Sequence, residues 1–380
     1  MRVTNTATYR NFSTSVNDVH SKLNKSMNKV SSGRAYETAA DNPLAYYEGK
    51  KIDNQFQDAV SKTTLLTDIK NRLYQQELGA RSIQEIMSGS GGAKVSIEKA
   101  LTETSSGQSD ISTIRDSLFQ QQQSIVNNLN SQYQSFYVYG GNDISTSPFS
   151  LSADGKTLTY RHKFPGETNV TELSMTLEKQ QDGSYNFNVK DADLANLKRA
   201  MSEQGRVDIG YGTIDDKSTL LDTYTGGLNM LTGMSSDSVK NMTDAEFKNA
   251  FTKAISDSPL GLVGEAALAI DDYAAADPDD KADAQDVMHK VLGKTMDSMT
   301  ESIHTIGTVY ADLGNKSKIL ETTETRLKNI QDSLTEQYAD KLGADPYAAI
   351  MEMYNNNYAY NAALKVGANL MGSSLFDFMR

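Results

Sequence analysis

The sequence contains no cysteine and no tryptophan, and the absence of cysteine excludes several kinds of chemistry. The chain has no disulfide framework, no thiolate ligand for a metal ion and no cysteine nucleophile. It also has no apolar run of about 18 residues, the length that a membrane-spanning helix needs. We therefore expect no membrane segment, and a location outside the cell is compatible with the lack of disulfides.

Proline is also scarce, with 6 among 380 residues, which favours long helices. Acidic residues outnumber basic ones by 49 to 37, and the net charge is -12. No basic cluster of the kind that binds nucleic acid stands out, so we expect no nucleic-acid partner. The opening residues MRVTNTATYR lack the apolar core of a cleaved signal peptide, and we expect any export to use another route.

Two stretches carry apolar residues at heptad spacing, which is typical of long helices that pack along their length. The positions are Ile52, Ala59, Leu66, Leu73, Ala80 and Met87 in the first stretch, and Ile306, Leu313, Leu320, Leu327 and Leu334 in the second. The row three residues before the second stripe is polar in its middle, at Ser317, Glu324 and Gln331. Two interpretations stay open: a helix packed within one chain, or a row that faces a partner subunit.

The glycine-rich segment Ser88–Lys94 predicts a break after the first long helix. A further helical pattern then places one apolar face on roughly seven turns of helix. Its members are Ile111, Ile114, Leu118, Ile125, Leu129, Tyr133 and Phe136.

The periodicity changes to two after Tyr139-Gly140-Gly141, which predicts a β-rich insert. Apolar residues alternate with polar ones from Leu173 to Leu177 and again from Tyr185 to Val189. Asp154-Gly155 and Asp182-Gly183 are dipeptides typical of hairpin turns. A short helix is expected from Leu194 to Met201, and the insert is expected to end near Gly233. Helix returns after that, opening with a capping box at Thr243.

These patterns predict a mainly α fold with a β-rich insert. The N- and C-terminal regions would form an elongated antiparallel bundle or coiled coil of long helices, with a β-containing outer domain in the middle. The expected boundaries are 1–45 for an N-terminal assembly segment, 46–139 and 236–342 for the two parts of a helical rod, 140–235 for the insert, and 343–380 for a C-terminal assembly helix.

Both ends of the chain are helices with one weak apolar face. The N-terminal stripe is Tyr9, Phe12, Val16, Val19, Leu23 and Val30, and the chain closes on Leu375, Phe376, Phe378 and Met379. Each end alone would be a marginal helix. We expect the ends to gain order when copies or neighbours bury these faces. An isolated chain whose ends are already sealed against its own body would contradict this.

The segment SSGRAYETAADNP, from Ser31 to Pro43, interrupts the first helical pattern. Gly33 supplies the backbone freedom for a turn. Asp41 or Asn42 is expected to cap the next helix, and Pro43 suits the first position of that helix.

Four stretches of the chain resemble the flagellin superfamily, and more closely its hook–filament junction proteins, the hook-associated protein 3 family. They are SSGRAYETAADNP, YGGNDISTSPF from Tyr139, ADPYAAI from Ala344, and AALKVGANLMGSSLFDFM from Ala362. Pro43 favours the junction proteins over filament flagellins, which usually continue with Ala-Ala there. The resemblance covers about 1–150 and 240–380, and the insert is not diagnostic.

The resemblance implies a structural adaptor of the bacterial flagellum, exported through the flagellar type III channel. It would join the hook, through hook-associated protein 1, to the filament of flagellin. Copies of itself and an export chaperone on the C-terminal helix are the other implied partners. The implied assembly contacts are Val16, Val19, Leu23, Gly33, Arg34, Asp41, Asn42, Pro43, Tyr358, Leu364, Leu375, Phe376 and Phe378. A divergent filament flagellin, and an adhesin or surface-layer module with the insert as its head, are the alternatives.

An enzyme is the least favoured class. No two of the 4 histidines are spaced four residues apart, and no glycine-rich phosphate loop with its Lys-Ser/Thr is present. The acidic run DPDDKADAQD, from Asp277, has a lysine at a ligand position and lacks the glycine and glutamate of a calcium loop. We therefore expect no catalysis, no metal and no cofactor.

Overall fold

The computed structural model of the chain describes residues 2–102, 108–203, 205–210 and 220–378. The chain divides into two compact units, which we call the terminal unit (Met1–Thr64 with Glu324–Arg380) and the central unit (Leu65–Thr323). The helices are α1 (Arg2–Ser32), α2 (Pro43–Ser88), α3 (Ala93–Thr102), α4 (Gln108–Leu129), α5 (Asp191–Ser202), α6 (Gly227–Thr232), α7 (Ser236–Asn241), α8 (Asp244–Ser256), α9 (Pro259–Ala275), α10 (Lys281–Leu342) and α11 (Pro346–Phe378). The strands are β1 (Gln132–Tyr133), β2 (Phe136–Tyr137), β3 (Phe149–Leu151), β4 (Thr157–His162), β5 (Thr171–Lys179), β6 (Tyr185–Val189), β7 (Arg206–Asp208) and β8 (Leu220–Asp222).

Both heptad stripes are buried along α2 and α10. Leu66, Leu73 and Ala80 on α2 are at most 1% exposed, and Leu313 and Leu320 on α10 are fully buried. The fold prediction, a mainly helical chain with two long helices that pack together and a β-containing middle, is confirmed.

The polar row beside the α10 stripe also has contacts within the chain. In the terminal unit, the Gln331 amide donates to the Thr63 hydroxyl at 2.8 Å. Lys341 forms an ion pair with Glu48 at 2.9 Å. Because 331 pairs with 63 and 341 with 48, the two helices run antiparallel here. Contact of this row with a partner subunit stays a prediction.

The terminal unit also pairs α1 with α11 in antiparallel fashion. The rings of His20 and Tyr360 lie 5.3 Å apart, and Lys29 reaches Glu352 at 2.9 Å. Half-buried or buried positions recur every three or four residues on each helix, as one face of a helix requires. On α1 they include Phe12, Val16, Val19, Leu23, Ser26 and Val30, and on α11 they include Ala349, Met353, Asn356, Tyr360, Ala363 and Gly367.

The central unit contains the predicted β-rich insert. Strands β3 to β6 form an antiparallel meander in that order, followed by α5. The two predicted hairpin turns are confirmed, and Gly155 (φ 70°) and Gly183 (φ 86°) carry the left-handed backbone. One face of the sheet is apolar, so β6 alternates buried Tyr185, Phe187 and Val189 with exposed asparagines.

The prediction that Tyr133 and Phe136 continue the helix of Ile111 to Leu129 is wrong. Helix α4 ends at Leu129, and Asn130 then exchanges two hydrogen bonds with the backbone of Phe149 through its side chain. The two aromatic residues lie opposite each other in the β1–β2 hairpin. The helical period of these two residues was therefore coincidental, since the asparagine stops the helix first.

Helix α9 is the apolar core element of the central unit, and the sequence patterns did not single it out. It is buried on almost every side and packs against α4, α8, β5 and β6. Ser258 caps it by accepting a hydrogen bond from the Gly261 amide at 3.3 Å, and Pro259 occupies its first turn. A helix that is apolar all round has no one-sided stripe to detect.

Candidate assembly surface on the terminal unit

Two connecting segments of the terminal unit pair with each other. Gly33, at φ 68°, ends α1 and its amide returns to the Lys29 carbonyl at 3.1 Å. The Ala35 amide donates to the Leu342 carbonyl at 2.6 Å, and the Ala344 amide donates to the Gly33 carbonyl at 2.9 Å. These bonds form an antiparallel bridge between the segment after α1 and the turn from α10 to α11. Residues 33 and 34 are therefore held in a fixed position.

The cap of α2 is Asn42. Its side-chain oxygen accepts from the Ala45 amide at 3.1 Å, and Pro43 is the first helical residue. Asp41 has a different role, since one carboxylate oxygen accepts from the amide and hydroxyl of Thr38 and the other from Lys25 at 3.0 Å. These hydrogen bonds, led by the one from Lys25, lower the pKa of Asp41 to about 2.

Large apolar and aromatic side chains are exposed on α11 at helical spacing. We define the outer stripe as Tyr347, Met351, Tyr354 and Tyr358. It lies two residues out of phase with the face that packs on α1, and therefore on the opposite side of the helix. Tyr347 is 75% exposed and Tyr358 is 79% exposed. Such a row of exposed apolar groups is typical of a surface that contacts another molecule.

The start of α2 has a second set of exposed apolar side chains in the same unit. Leu44 is 68% exposed and Tyr47 is 69% exposed, and both belong to the first turns after the Asn42 cap. Leu44 and Tyr47 are three residues apart, so they share one side of the helix. Two helices of the terminal unit thus present apolar groups to solvent.

The candidate assembly residues fall into four groups. Val16, Val19 and Leu23 lie on the shielded face of α1, whereas Tyr358 and Leu364 are exposed on α11. Between α1 and α2 lie Gly33, Arg34, Asp41 and Asn42, and Pro43 is the first residue of α2; all but the half-buried Asn42 are exposed. The backbone of Leu375, Phe376 and Phe378 belongs to α11, while their side chains, like the whole of Met379 and Arg380, lie outside the described residues. Contact of any of these residues with another subunit stays a prediction.

The two ends of the chain are helical and pair with each other within a single chain. They are not sealed, because the outer stripe of α11 stays exposed after the pairing. The expectation that further copies complete their burial is therefore compatible with the structure and stays a prediction.

The segment YGGNDISTSPF is fixed in the central unit by a glutamine that the sequence patterns missed. The Gln76 amide group donates to the carbonyls of Val138 and Thr225, and its oxygen accepts from the Thr225 amide at 3.1 Å. The Tyr139 hydroxyl donates to the Gln76 carbonyl. Because both N–H groups and the oxygen of this buried side chain are hydrogen-bonded, it positions the exit from the helices with little freedom.

No group of three or more histidine, aspartate or glutamate side chains within the described residues is arranged to hold a metal ion. Among the same residues, no helix is both long enough and apolar enough to cross a membrane.

No protein-family model matches the chain, and no curated protein matches it. Solved structures do. A protein described as a flagellar hook-associated protein of Vibrio parahaemolyticus is 11% identical, with a TM-score of 0.42, over 78% of this chain and 100% of that chain. FlgL of Bacillus cereus is 14% identical, with a TM-score of 0.37, and the match covers 78% of this chain and 100% of that chain. FlgL of Xanthomonas campestris is 11% identical, with a TM-score of 0.40, and the match covers 75% of this chain and 98% of that chain. The chain is thus similar to solved flagellar hook-associated proteins over about three quarters of its length.

Proposed function

We propose that the chain is a non-enzymatic structural subunit of the bacterial flagellum. It forms an adaptor layer that joins the hook, through hook-associated protein 1, to the flagellin filament. The outer stripe on α11 carries this proposal, because large apolar side chains that stay exposed after α1 and α11 pair are typical of a surface that contacts another molecule. The four sequence stretches that resemble the junction proteins support it independently.

The proposed mechanism is geometric. Identical subunits contact one another head to tail through the terminal unit, which builds a ring or helical layer instead of a closed dimer. Burial of one large apolar side chain contributes roughly 1.5–3 kcal/mol, so the four residues of the outer stripe would contribute on the order of 10 kcal/mol before the cost of association. Copies of itself, hook-associated protein 1 and flagellin are the proposed partners.

Export completes the proposal. The chain would leave the cell unfolded through the flagellar type III channel, with a cytoplasmic chaperone on the C-terminal helix. The exposed apolar residues of α11 support this, since a folded helix with such a surface is prone to premature association. The lack of cysteine fits passage as a flexible chain.

One observation favours an adhesin or surface-layer module instead. Such a module would have ordered ends without partners, and α1 and α11 do pair within one chain. The exposed outer stripe weighs against it, because a module that acts alone gains nothing from leaving aromatic groups in water.

Electron microscopy of a strain that lacks this protein tests the proposal. Hooks without filaments, with flagellin released into the medium, are expected. A normal filament on the hook would overturn the adaptor role. Filament loss with no flagellin in the medium would indicate that the chain is itself the filament subunit.

Complementation of that strain tests the outer stripe. Tyr358→Asp is expected to be secreted yet fail to restore filaments. Tyr74→Asp is the matched control, because Tyr74 is also an exposed tyrosine, 51% accessible, but lies on α2 in the central unit. Equal complementation by both variants would remove the stripe from the mechanism.

A further inference from the structure

The terminal unit contains a groove between α2 and α10 with a volume of about 250 Å³. Its floor is apolar, formed by buried Ile52 and Leu334 and by half-buried Phe56 and Tyr338. This volume is below the roughly 300–1,000 Å³ of a typical small-molecule site. The groove therefore suits one large apolar side chain of a protein segment.

The positively charged side chain of Arg34 lies at the rim of the groove. The guanidinium of Arg34 lies 5.7 Å from the centre of the Tyr338 ring, and the side chain is exposed. The backbone of Arg34 is fixed by its bridge to Gly343. Among the described residues Arg34 has no acidic partner, and Asp53, the acid at the groove, is paired with Lys50 at 3.0 Å. An aromatic side chain next to a carboxylate is the matching ligand.

The chain itself contains such a ligand in Phe376-Asp377-Phe378, where two aromatic residues flank a carboxylate. This segment is out of reach of the groove in its own chain. Helix α11 begins at Pro346, three residues after the Gly343 that bridges Arg34, and continues to Phe378. At 1.5 Å per residue, the end of the helix is about 50 Å from its start. The ligand must therefore come from another molecule.

We infer that this groove binds the segment Phe376-Asp377-Phe378 of a second copy of the chain. A phenylalanine enters the apolar floor, and the Asp377 carboxylate pairs with the Arg34 guanidinium. The inference rests on the proposed function in that both require head-to-tail contact between subunits. It adds a specific binding groove and a specific bound segment, and the ion pair between Asp377 and Arg34 fixes how the two subunits align.

Peptide binding to the full-length protein tests the pair. The probe is a fluorescein-labelled peptide with the sequence of residues 373–380, followed by fluorescence anisotropy. We expect Arg34→Glu to weaken binding at least 10-fold, and a peptide with Asp377→Lys to bind that variant better than it binds the unaltered chain. Lys365→Glu, a charge reversal on α11, is the control and is expected to bind as the unaltered chain does. Absence of binding, or binding that is insensitive to Arg34→Glu, overturns the inference.

Disulfide trapping gives a second readout, which the cysteine-free chain makes clean. Gln57, exposed beside the groove, is replaced by cysteine in one chain, and Met379 is replaced by cysteine in another. Oxidation of the mixture is expected to give a covalent heterodimer, since a disulfide forms only when the two Cα atoms come within about 7 Å. Lys318→Cys, an exposed site on α10 in the central unit, is the control partner. A yield no higher than with this control overturns the inference.

The two proposals fail separately. No peptide binding together with hooks that lack filaments in the deletion strain removes the groove assignment alone. Peptide binding together with a normal filament in that strain removes the adaptor role and leaves a self-association site.

Discussion

Phe12 of α1 packs its ring directly over Gly367 of α11. A side-chain carbon at position 367 would lie 2.3 Å from the Phe12 ring, a distance that no real contact tolerates. Glycine is usually unfavourable inside a helix, by about 1 kcal/mol relative to alanine. Its presence here therefore reflects the close approach of the two terminal helices.

Replacement of Gly367 by valine is expected to loosen α1 from α11. The added side chain forces the Phe12 ring out of its place, and overpacking of this kind costs about 1–3 kcal/mol. Ala368→Val, the same side chain at the exposed neighbouring position, is the control and is expected to leave the pair intact. Hydrogen exchange of the α1 amides measures the effect. Equal protection in both variants would show that Phe12 and Gly367 do not limit the approach.

The stripe of α10 makes a second prediction, because Leu320 is fully buried and its neighbour Ile319 is 42% exposed. Leu320→Asp is expected to lower the free energy of unfolding by about 3–5 kcal/mol, since it buries a charge without a partner. Ile319→Asp is expected to lower the free energy of unfolding by less than about 1 kcal/mol, because the introduced carboxylate stays in contact with water. Urea unfolding followed by circular dichroism compares the two. A similar loss in both would contradict the assignment of the buried face.

The long helices were predictable because each repeats one rule many times. Leu313 lies between apolar residues seven positions away on either side, so a single coincidence cannot produce the pattern. The hairpin glycines, Gly155 and Gly183, were equally clear, since Asp-Gly has few other uses between strands. Both kinds of signal are local and do not depend on the rest of the fold.

The features that were missed depend on distant parts of the chain. Gln76 lies inside the α2 stripe, and its bonding to Val138 and Thr225 has no trace in its own neighbourhood. The outer stripe of α11 is recognisable as unpartnered only when the opposite face is seen to pack on α1. A mixed stripe that includes Tyr354 and Tyr358 is visible in the sequence, but its period does not reveal which face is covered.

The β1–β2 hairpin predicts a stabilising substitution. Gln134 and Ser135 turn the chain with φ of 49° and 69°, a conformation that costs a residue with a side chain about 1–2 kcal/mol. Ser135→Gly is expected to raise the free energy of unfolding by roughly 0.5 kcal/mol, after the entropic cost of glycine is subtracted. Ser150→Gly, within β3, is the control and is expected to destabilise. Thermal unfolding distinguishes the two, and a loss of stability in Ser135→Gly would indicate that its hydroxyl outweighs the strain.

Glu265 of α9 connects three elements and gives the last prediction. One carboxylate oxygen accepts from the Tyr185 amide of β6 and the other from the Thr295 hydroxyl of α10, each at 3.1 Å. Burial raises the pKa of Glu265 above its ordinary value, and these two donors offset that only in part. The folded state thus holds the proton more tightly than the unfolded state. Between the pKa of the unfolded state and that of the folded state, the free energy of unfolding falls as the pH rises. Above both pKa values, the folded state bears the full cost of burying the charged carboxylate.

Glu265→Gln removes that penalty without losing the hydrogen bonds. The oxygen of the introduced amide still accepts from Tyr185, and its NH₂ group donates to the Thr295 hydroxyl, which also lies 2.9 Å from the Val291 carbonyl and donates there. The variant is expected to be more stable than the unaltered chain at about pH 7, and this gain is expected to shrink as the pH falls towards the ordinary glutamate pKa of about 4.3. Glu301→Gln, on the exposed side of α10, is the control and is expected to show no such trend. Urea unfolding at several pH values measures the difference. A gain that is independent of pH would show that packing, and not the charge of Glu265, sets the effect.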